Sequence, residues 1–190
     1  TGQLNKEFGG GLNGGLAYSF TRAESLFDGT GFINYSNWDD IISVDGKNSP
    51  PLSRSVYDAG SRITAFMNYR KEYLDNFATS ISFFFNGQSG QPYTFVYNDN
   101  DQLTNQSNNS TSNIPIYVPA SQSDIVLVDQ VDGDGIVTKT AAQQWSELDA
   151  FIDDDPYLSE QRGEYVERNE SRTPFENILD IKIAQDFFIT

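Results

Sequence analysis

FATSISFFFN, residues 77–86, is the stretch of this chain that decides its fold. Its first, third, fifth, seventh and ninth residues are Phe, Thr, Ile, Phe and Phe, whereas the residues between them are mainly small or polar. Successive side chains of a β-strand point to opposite faces, so this alternation predicts a strand with one apolar and one polar face. A stretch of about ten residues is also long enough to cross a bilayer as a tilted strand.

The same alternation occurs at other places in the chain. One apolar set comprises Leu12, Gly14, Leu16, Tyr18 and Phe20, and another comprises Leu179, Ile181 and Ile183. Residues 61–70 show a weaker form of it, and residues 3–8 precede a run of glycines that suits a tight turn. We therefore predict an all-β fold, with strands near residues 3–8, 12–22, 61–70, 77–88 and 177–188.

The composition narrows the possible classes of protein. The 190 residues carry a formal charge of −15 and a mean hydropathy of −0.49, and we expect no membrane-spanning helix among them. Only twelve Lys and Arg are present, and their scatter argues against nucleic acid as a partner. The chain contains neither His nor Cys, and this excludes a Ser-His-Asp triad and most kinds of zinc site. We predict that it is not an enzyme.

The connections between the predicted strands alternate in length. Short turns follow residues 3–8 and 61–70, whereas long polar segments occupy residues 23–57 and 89–173. In the second long segment, residues 141–152 and 156–168 have the spacing and the proline expected of short helices. Short turns on one side and long loops on the other are typical of bacterial outer-membrane barrels.

These features together predict a segment of a large antiparallel transmembrane β-barrel. Residues 23–57 and 89–173 would be its extracellular loops and would carry the short helices. Five strands are fewer than the roughly eight of the smallest such barrels. Because an open sheet edge in lipid would leave backbone groups unpaired, we expect residues 1–190 to be one part of an outer-membrane β-barrel.

Four short runs resemble a known family. They are QSGQPY at 88–93, IYVP at 116–119, RGEYVERN at 162–169 and DIKIAQDFF at 180–188. These runs resemble the C-terminal barrel region of TonB-dependent outer-membrane receptors of the Bacteroidota, in the Oar-like and SusC-like group. The run at 162–169 is the most specific of the four. Nothing in the chain resembles the plug domain of that family.

The resemblance implies a function and a set of partners. It implies a receptor in the bacterial outer membrane that takes up a large nutrient, such as a peptide, a glycan or a chelate, with energy supplied through TonB. The implied partners are the remainder of the barrel, its plug domain, the TonB complex acting through that plug, a SusD-like surface lipoprotein, and lipid or lipopolysaccharide. No organic cofactor is implied, and the sequence leaves the substrate undetermined.

One acidic stretch is a candidate calcium loop. Residues 129–135 read DQVDGDG, in which Asp129, Asp132 and Asp134 supply carboxylates close to two glycines. A complete loop of the EF-hand type would need a Glu where Ala141 stands, so the motif is incomplete. The other interpretation is an acidic surface turn without a metal.

The long loops also contain candidate ligand-binding side chains. Trp38, Tyr93 and Tyr97 could stack on a sugar or peptide, and they could equally pack the loops. Arg162, Glu164 and Arg168 could hold a ligand above the pore, although oppositely charged neighbours usually pair with each other, and we favour that structural interpretation. The carboxylates of Asp153, Asp154 and Asp155 could supply the acid and base of a glycosidase, but consecutive aspartates do not face each other across a cleft, and we favour a solvated helix end.

An alternative class remains open for the whole chain. The alternating strands could instead form a soluble or surface-exposed β-sandwich, a binding or adhesin module with its apolar faces turned to a protein core. Calcium at residues 129–135 would then stiffen a loop. The two classes differ in what the apolar face contacts, which is lipid in the barrel and protein in the sandwich.

Overall fold

The computed structural model describes residues 1–29, 31–74, 76–97 and 114–188. The strands of that part of the chain are β1 Gly2–Gly9, β2 Leu12–Phe20, β3 Glu24–Ser25, β4 Ser53–Arg54, β5 Ser61–Tyr73, β6 Phe77–Gln88, β7 Pro92–Tyr93, β8 Gln130–Val131, β9 Val137–Lys139, β10 Ser171–Arg172 and β11 Glu176–Phe187. Its helices are α1 Asn34–Asp39, α2 Ala141–Asp154 and α3 Pro156–Glu160, with a 3-10 turn at Gln122–Asp124.

Five long strands form one sheet in the order β1-β2-β5-β6-β11. Every neighbouring pair in this sheet is antiparallel. The short strands pair separately, as β3 with β4, β7 with β10, and β8 with β9. The prediction of a fold dominated by antiparallel β-structure is therefore confirmed.

The register collects the apolar residues of the sheet on one face. One row across all five strands consists of Leu4, Leu16, Ala65, Phe85 and Leu179, each paired with the next. The neighbouring row on the same face contains Gly14, Met67, Phe83 and Ile181. Between these rows, on the opposite face, lie Gly15, Phe66, Phe84 and Asp180. Phe66 and Phe84 are thus exceptions on a face that is otherwise mainly polar.

Tight turns and long connections leave opposite ends of this sheet. The β1–β2 turn uses Gly9, Gly10 and Gly11, all with positive φ, and the β5–β6 turn begins at Leu74 with φ 53°. The β2–β5 and β6–β11 connections are long, and both start at the other end of the sheet. The second long connection includes residues 98–113, which lie outside the described residues.

The strand ends differ from the predicted bounds. β2 stops at Phe20 rather than at residue 22, and β5 continues past residue 70 to Tyr73. β5 extends because residues 71–73 pair with residues 77–79 of β6 before the turn. β11 begins at Glu176, which pairs with Gln88 at the end of β6.

The chain divides into two compact units by its backbone contacts. Unit 1 comprises Thr1–Glu24, Ser55–Pro92 and Arg172–Thr190, and it contains the five-stranded sheet. Unit 2 comprises Ser25–Arg54 and Tyr93–Ser171, and it contains the three α-helices. None of the described helices is long and apolar enough to cross a membrane.

A small hydrophobic core organises unit 2. Its buried members are Val118, Ile152, Leu158 and Val166, surrounded by Phe95, Ile116, Leu148 and Tyr157. α2 starts at a capping box, in which the Thr140 side chain accepts from the backbone of Gln143 and the Gln143 side chain accepts from that of Thr140. α3 starts at Pro156, and the side chain of Asp155 caps it.

The helices of unit 2 depart from the sequence prediction in two places. The helix expected over residues 156–168 ends at Glu160, since Gly163 has φ 88° and the chain then pairs in an extended form through Val166 N–H to Ile116 C=O. α1 lies in a segment predicted as loop. It has no side-chain N-cap, so the sequence lacked the usual signal for a helix start.

Candidate functional site

The apolar face of the sheet is exposed on both edge strands and half-buried at Phe83 and Phe85 in the inner strand β6. On the edge strand β11, Leu179, Ile181 and Ile183 are 61%, 59% and 72% exposed, and on the opposite edge strand β1, Leu4 is 70% exposed. Met67, in the middle of the sheet, is 44% exposed. Large exposed apolar patches on soluble proteins often mark interaction or membrane surfaces, so this face is the candidate functional surface of unit 1.

Aromatic residues and a polar cluster mark the tight-turn end of this face. Tyr73 stacks on Phe77 with ring centroids 5.9 Å apart, and Phe187 meets Phe77 edge-on at 5.5 Å. Beside them, Gln185 Oε1 accepts hydrogen bonds from Tyr73 Oη at 3.0 Å and from Thr79 Oγ1 at 2.6 Å. The polar groups of Tyr73, Thr79 and Gln185 on the apolar face therefore bond to one another. Lys71 lies on the same face, in the row of Thr79.

The opposite face of the sheet carries a connected set of polar side chains. Arg70 of β5 forms an ion pair with Asp186 of β11 and donates to Ser80 Oγ of β6 at 3.2 Å. Nearer the other end, Arg62 Nε donates to Asn86 Oδ1 at 2.8 Å. This face is chemically suited to contact water, whereas the apolar face is not.

Arg162 ties the loop segment of residues 162–169 to α2. Its Nη2 lies 2.7 Å from carboxylate oxygens of both Asp149 and Asp153. Hydrogen bonds to Asp153 and Asp149, in that order, raise the pKa of the Arg162 guanidinium. Asp153, considered above as a possible catalytic acid, is thus engaged in an ion pair.

Arg168 is buried in a polar cluster of unit 2. Its guanidinium donates to the backbone and side-chain oxygens of Ser25 and lies 3.9 Å from Asp28. Burial lowers the pKa of Arg168, and the charge of Asp28 acts against that shift. The next residue, Asn169, with φ 60°, donates to Asp28 Oδ2 at 3.0 Å and to the Arg54 carbonyl at 2.9 Å.

An open groove of about 290 Å³ lies in unit 2 next to this cluster. Glu164 and Arg168 both line it, together with Asp45, Leu52 and Tyr165. Two of the six predicted binding residues are therefore brought together here. The hydrogen-bond partners of Arg168 lie inside the protein. Glu164 is exposed, so of these two residues it is the one whose side chain faces outward.

The three predicted aromatic binding residues lie elsewhere in unit 2 and make internal contacts. Trp38 Nε1 donates to Asn48 Oδ1 at 3.0 Å, and the Lys47 ammonium lies 5.0 Å from its ring centroid. Tyr93 meets Phe95 edge-on at 5.1 Å, and burial, with a smaller contribution from Asp155, raises its pKa. Tyr97 Oη accepts from the backbone N–H of Tyr117 at 3.1 Å.

The candidate calcium loop is the turn of the β8–β9 hairpin. Asp132 Oδ1 accepts from the backbone N–H groups of Asp134 and Ile136 at 3.0 and 2.8 Å, and Asp129 Oδ1 accepts from Ala141 N–H at 2.7 Å. Among the described residues, no group of three or more acidic, His or Cys side chains is placed to hold a metal ion. Calcium binding by Asp129, Asp132 and Asp134 stays a prediction.

Sequence reasoning missed the ion pairs that join distant segments. Arg172 Nη2 lies 2.6 Å from Asp58 Oδ2, whose side chain is fully buried in unit 1. In unit 2, Arg54 Nη2 lies 2.6 Å from Glu170 Oε2. These partners are more than a hundred residues apart along the chain, and no local pattern in a single sequence indicates such a pairing.

Comparison of the chain with protein-family models, curated proteins and solved structures finds no match.

Proposed function

We propose that this chain forms part of the wall and the outer loops of a TonB-dependent receptor in the bacterial outer membrane. The observation that carries the proposal is the uncovered apolar face of the five-stranded sheet. A face built from Leu4, Leu16, Met67, Ile181 and Ile183 needs an apolar environment. The hydrocarbon core of a bilayer supplies it, and a strand of ten or so residues spans that core when tilted.

The opposite face supports the same proposal. Barrel strands alternate lipid-facing apolar residues with lumen-facing polar ones. Arg70, Ser80 and Asp186 form a bonded polar set there, as a water-filled or plugged lumen requires. An Arg on a lipid-facing surface near the midplane would cost about 2–4 kcal/mol, so the polar face suits Arg70 better. Lys6 and Lys71 lie on the apolar face but toward its tight-turn end, where long charged side chains reach water.

The lengths of the connections indicate which end of the sheet would face the periplasm and which would face the cell exterior. The tight turn Gly9–Gly10–Gly11 and the short connection that begins at Leu74 correspond to the short periplasmic turns of such barrels, and the long connections correspond to extracellular loops. Unit 2, built from the long connections, would then be on the outer side of the membrane. Ligand capture belongs to this unit.

In a bilayer the two edge strands of the sheet would need further strands as hydrogen-bonded neighbours. Among the described residues, β1 pairs only with β2, and β11 pairs only with β6. Unpaired backbone groups cost several kcal/mol each in hydrocarbon. We therefore include the remainder of the barrel among the partners. The plug domain, the TonB complex acting through it and a SusD-like surface lipoprotein follow from the family resemblance of residues 162–169.

The proposed activity is binding and passage of a large nutrient, without bond chemistry by this chain. The ligand would be a peptide, a glycan or a chelate, captured by the loops of unit 2. The groove beside Glu164 and Tyr165 has room for a ligand group. A β-sandwich is the less favoured alternative, because a sandwich buries its apolar face under a second sheet, whereas Ile183 here is 72% exposed.

Membrane fractionation of cells that produce the chain tests this proposal. We expect the protein to sediment with outer membranes, to resist extraction by salt and alkaline carbonate, and to be released by detergent. A control protein from the periplasm should be removed by the same washes. Recovery of the chain as a monomer in detergent-free buffer, with a cooperative thermal transition, would contradict the barrel and favour the sandwich.

A further inference from the structure

Unit 2 has a group of exposed aliphatic side chains, here called the strip, at the β8–β9 hairpin and in the residues just before it. The strip consists of Val126, Val128, Val131, Ile136 and Val137, which are 94%, 72%, 58%, 64% and 48% exposed. Five exposed branched aliphatic side chains within twelve consecutive residues are more than scattered surface hydrophobics. The strip belongs to unit 2 and has no part in the lipid-facing surface proposed for the sheet.

Contacts with α2 hold the strip in position, in addition to the weak pairing of the two hairpin strands. A two-stranded hairpin alone is marginally stable in water, and β8 and β9 are short. Three contacts fix its base to α2. Gln144 Nε2 donates to the Val128 carbonyl at 2.6 Å, Asp129 caps Ala141, and Lys139 pairs with Glu147. A preorganised surface of this kind binds at a lower entropic cost than a mobile loop.

The charge around the strip restricts what can cover it. Unit 2 contains nineteen Asp and Glu against five Lys and Arg, so it holds almost all of the net charge of the chain. All five cations form ion pairs within the unit, at Lys47, Arg54, Lys139, Arg162 and Arg168. Asp124, Asp129, Asp132 and Asp134 flank the strip itself.

We propose that the β8–β9 strip is the docking surface for a protein partner with an apolar groove edged by Lys and Arg. A second copy of the chain is disfavoured, because a symmetric contact would place the same acidic surfaces against each other. An anionic membrane surface is disfavoured by the same repulsion. The basic rim of the partner would contact Asp134 and the neighbouring aspartates. The partner's apolar groove would cover the aliphatic side chains of the strip. The proposal does not depend on the barrel assignment.

Site-specific photocrosslinking in the cells that produce the protein tests the proposal. A benzophenone amino acid at Val128 should give one adduct with a different protein, which mass spectrometry identifies. The same group at Phe32, an even more exposed apolar position of unit 2, should not give that adduct. The identified partner is then purified, and its affinity for the full chain is measured.

The affinity measurement decides between the possible origins of the adduct. Val126→Asp and Val128→Asp should each weaken binding about tenfold or more, Asp134→Lys should slow association, and added salt should weaken the complex. Phe32→Asp is the matched control and should bind like the wild type. An adduct of two copies of the chain, a lipopolysaccharide adduct, no adduct, or unchanged affinity of both valine variants would overturn the proposal.

Discussion

Arg168 is a predicted ligand-binding residue whose side chain is buried inside unit 2. Its guanidinium is 6% exposed, contacts Ser25 and lies near Asp28. Removing one partner of a buried ion pair usually costs more than the pair contributes, because the remaining charge is left without compensation. Arg168 is therefore expected to stabilise unit 2 whatever ligand the groove binds.

Arg168→Ala should lower the free energy of unfolding of unit 2 by about 3 kcal/mol. Urea unfolding followed by tryptophan fluorescence measures this effect, because both tryptophans, Trp38 and Trp145, belong to unit 2. Lys139→Ala is the control, since Glu147 in that pair is exposed, and it should cost less than about 1 kcal/mol. Equal losses in the two variants would contradict the structural role of Arg168.

Tyr157 makes the stability of unit 2 sensitive to alkaline pH. Burial raises the pKa of its phenol to about 12 from the usual 10.0, and its Oη accepts from Glu167 N–H. The folded state holds the phenol proton more tightly than the unfolded state does. The resulting contribution of Tyr157 to stability is complete below pH 10.0 and is lost as the pH rises toward 12. The melting temperature should fall less steeply over that range in Tyr157→Phe than in the wild type.

The control for this pH measurement is Tyr35→Phe, at a position that is 61% exposed. It should keep the pH profile of the wild type. Tyr157→Phe should melt at a lower temperature at neutral pH, because Glu167 N–H loses its acceptor. Parallel profiles for Tyr157→Phe and the wild type above pH 10 would show that the buried phenol does not cause the alkaline loss.

The long strands are the elements that the sequence predicted best. Their signal is local, because alternation over residues 77–86 needs only the period of a strand to be interpreted. The spacing of residues 141–152 and the proline at 156 similarly indicated α2 and the start of α3. α1 gave no such signal, and the ion pairs Arg54–Glu170 and Arg172–Asp58 depend on tertiary structure that one sequence does not encode locally.

The β1–β2 turn offers a test at the level of one element. Gly11 has φ +85°, and a β-carbon there would overlap the carbonyl oxygen of Arg70 on the neighbouring strand. Gly10 has φ +59° and open space around it. Gly11→Ala should therefore destabilise the sheet by about 2 kcal/mol more than Gly10→Ala.

Thermal loss of the β-strand circular dichroism signal compares these two glycine variants. Gly10→Ala is the matched control, since it adds a similar left-handed backbone strain without the clash. If both variants melt at the same temperature, Gly11 does not approach Arg70 as closely as the sheet register requires.

At the scale of the whole molecule, the two units differ in what they expose. Unit 1 presents an apolar sheet face with little net charge, and unit 2 presents an acidic surface with a small core of its own. The sequence indicated the two-faced strands and the unequal connections. It could not indicate that the five strands turn most of their apolar residues to the same side, because that depends on the register between strands far apart in the chain.

The chain has no cysteine, so single cysteine substitutions report one position each. The most direct measurement places cysteine in turn at Asp180, Ile181, Lys182, Ile183 and Ala184 of β11 and follows reaction with a water-soluble maleimide in intact outer membranes. Positions 181 and 183 should be protected and should be quenched by spin-labelled lipids once fluorescently labelled, whereas 180, 182 and 184 should react. After denaturation all five should react alike. Equal reactivity of 181 and 182 in the native membrane would contradict a lipid-facing sheet.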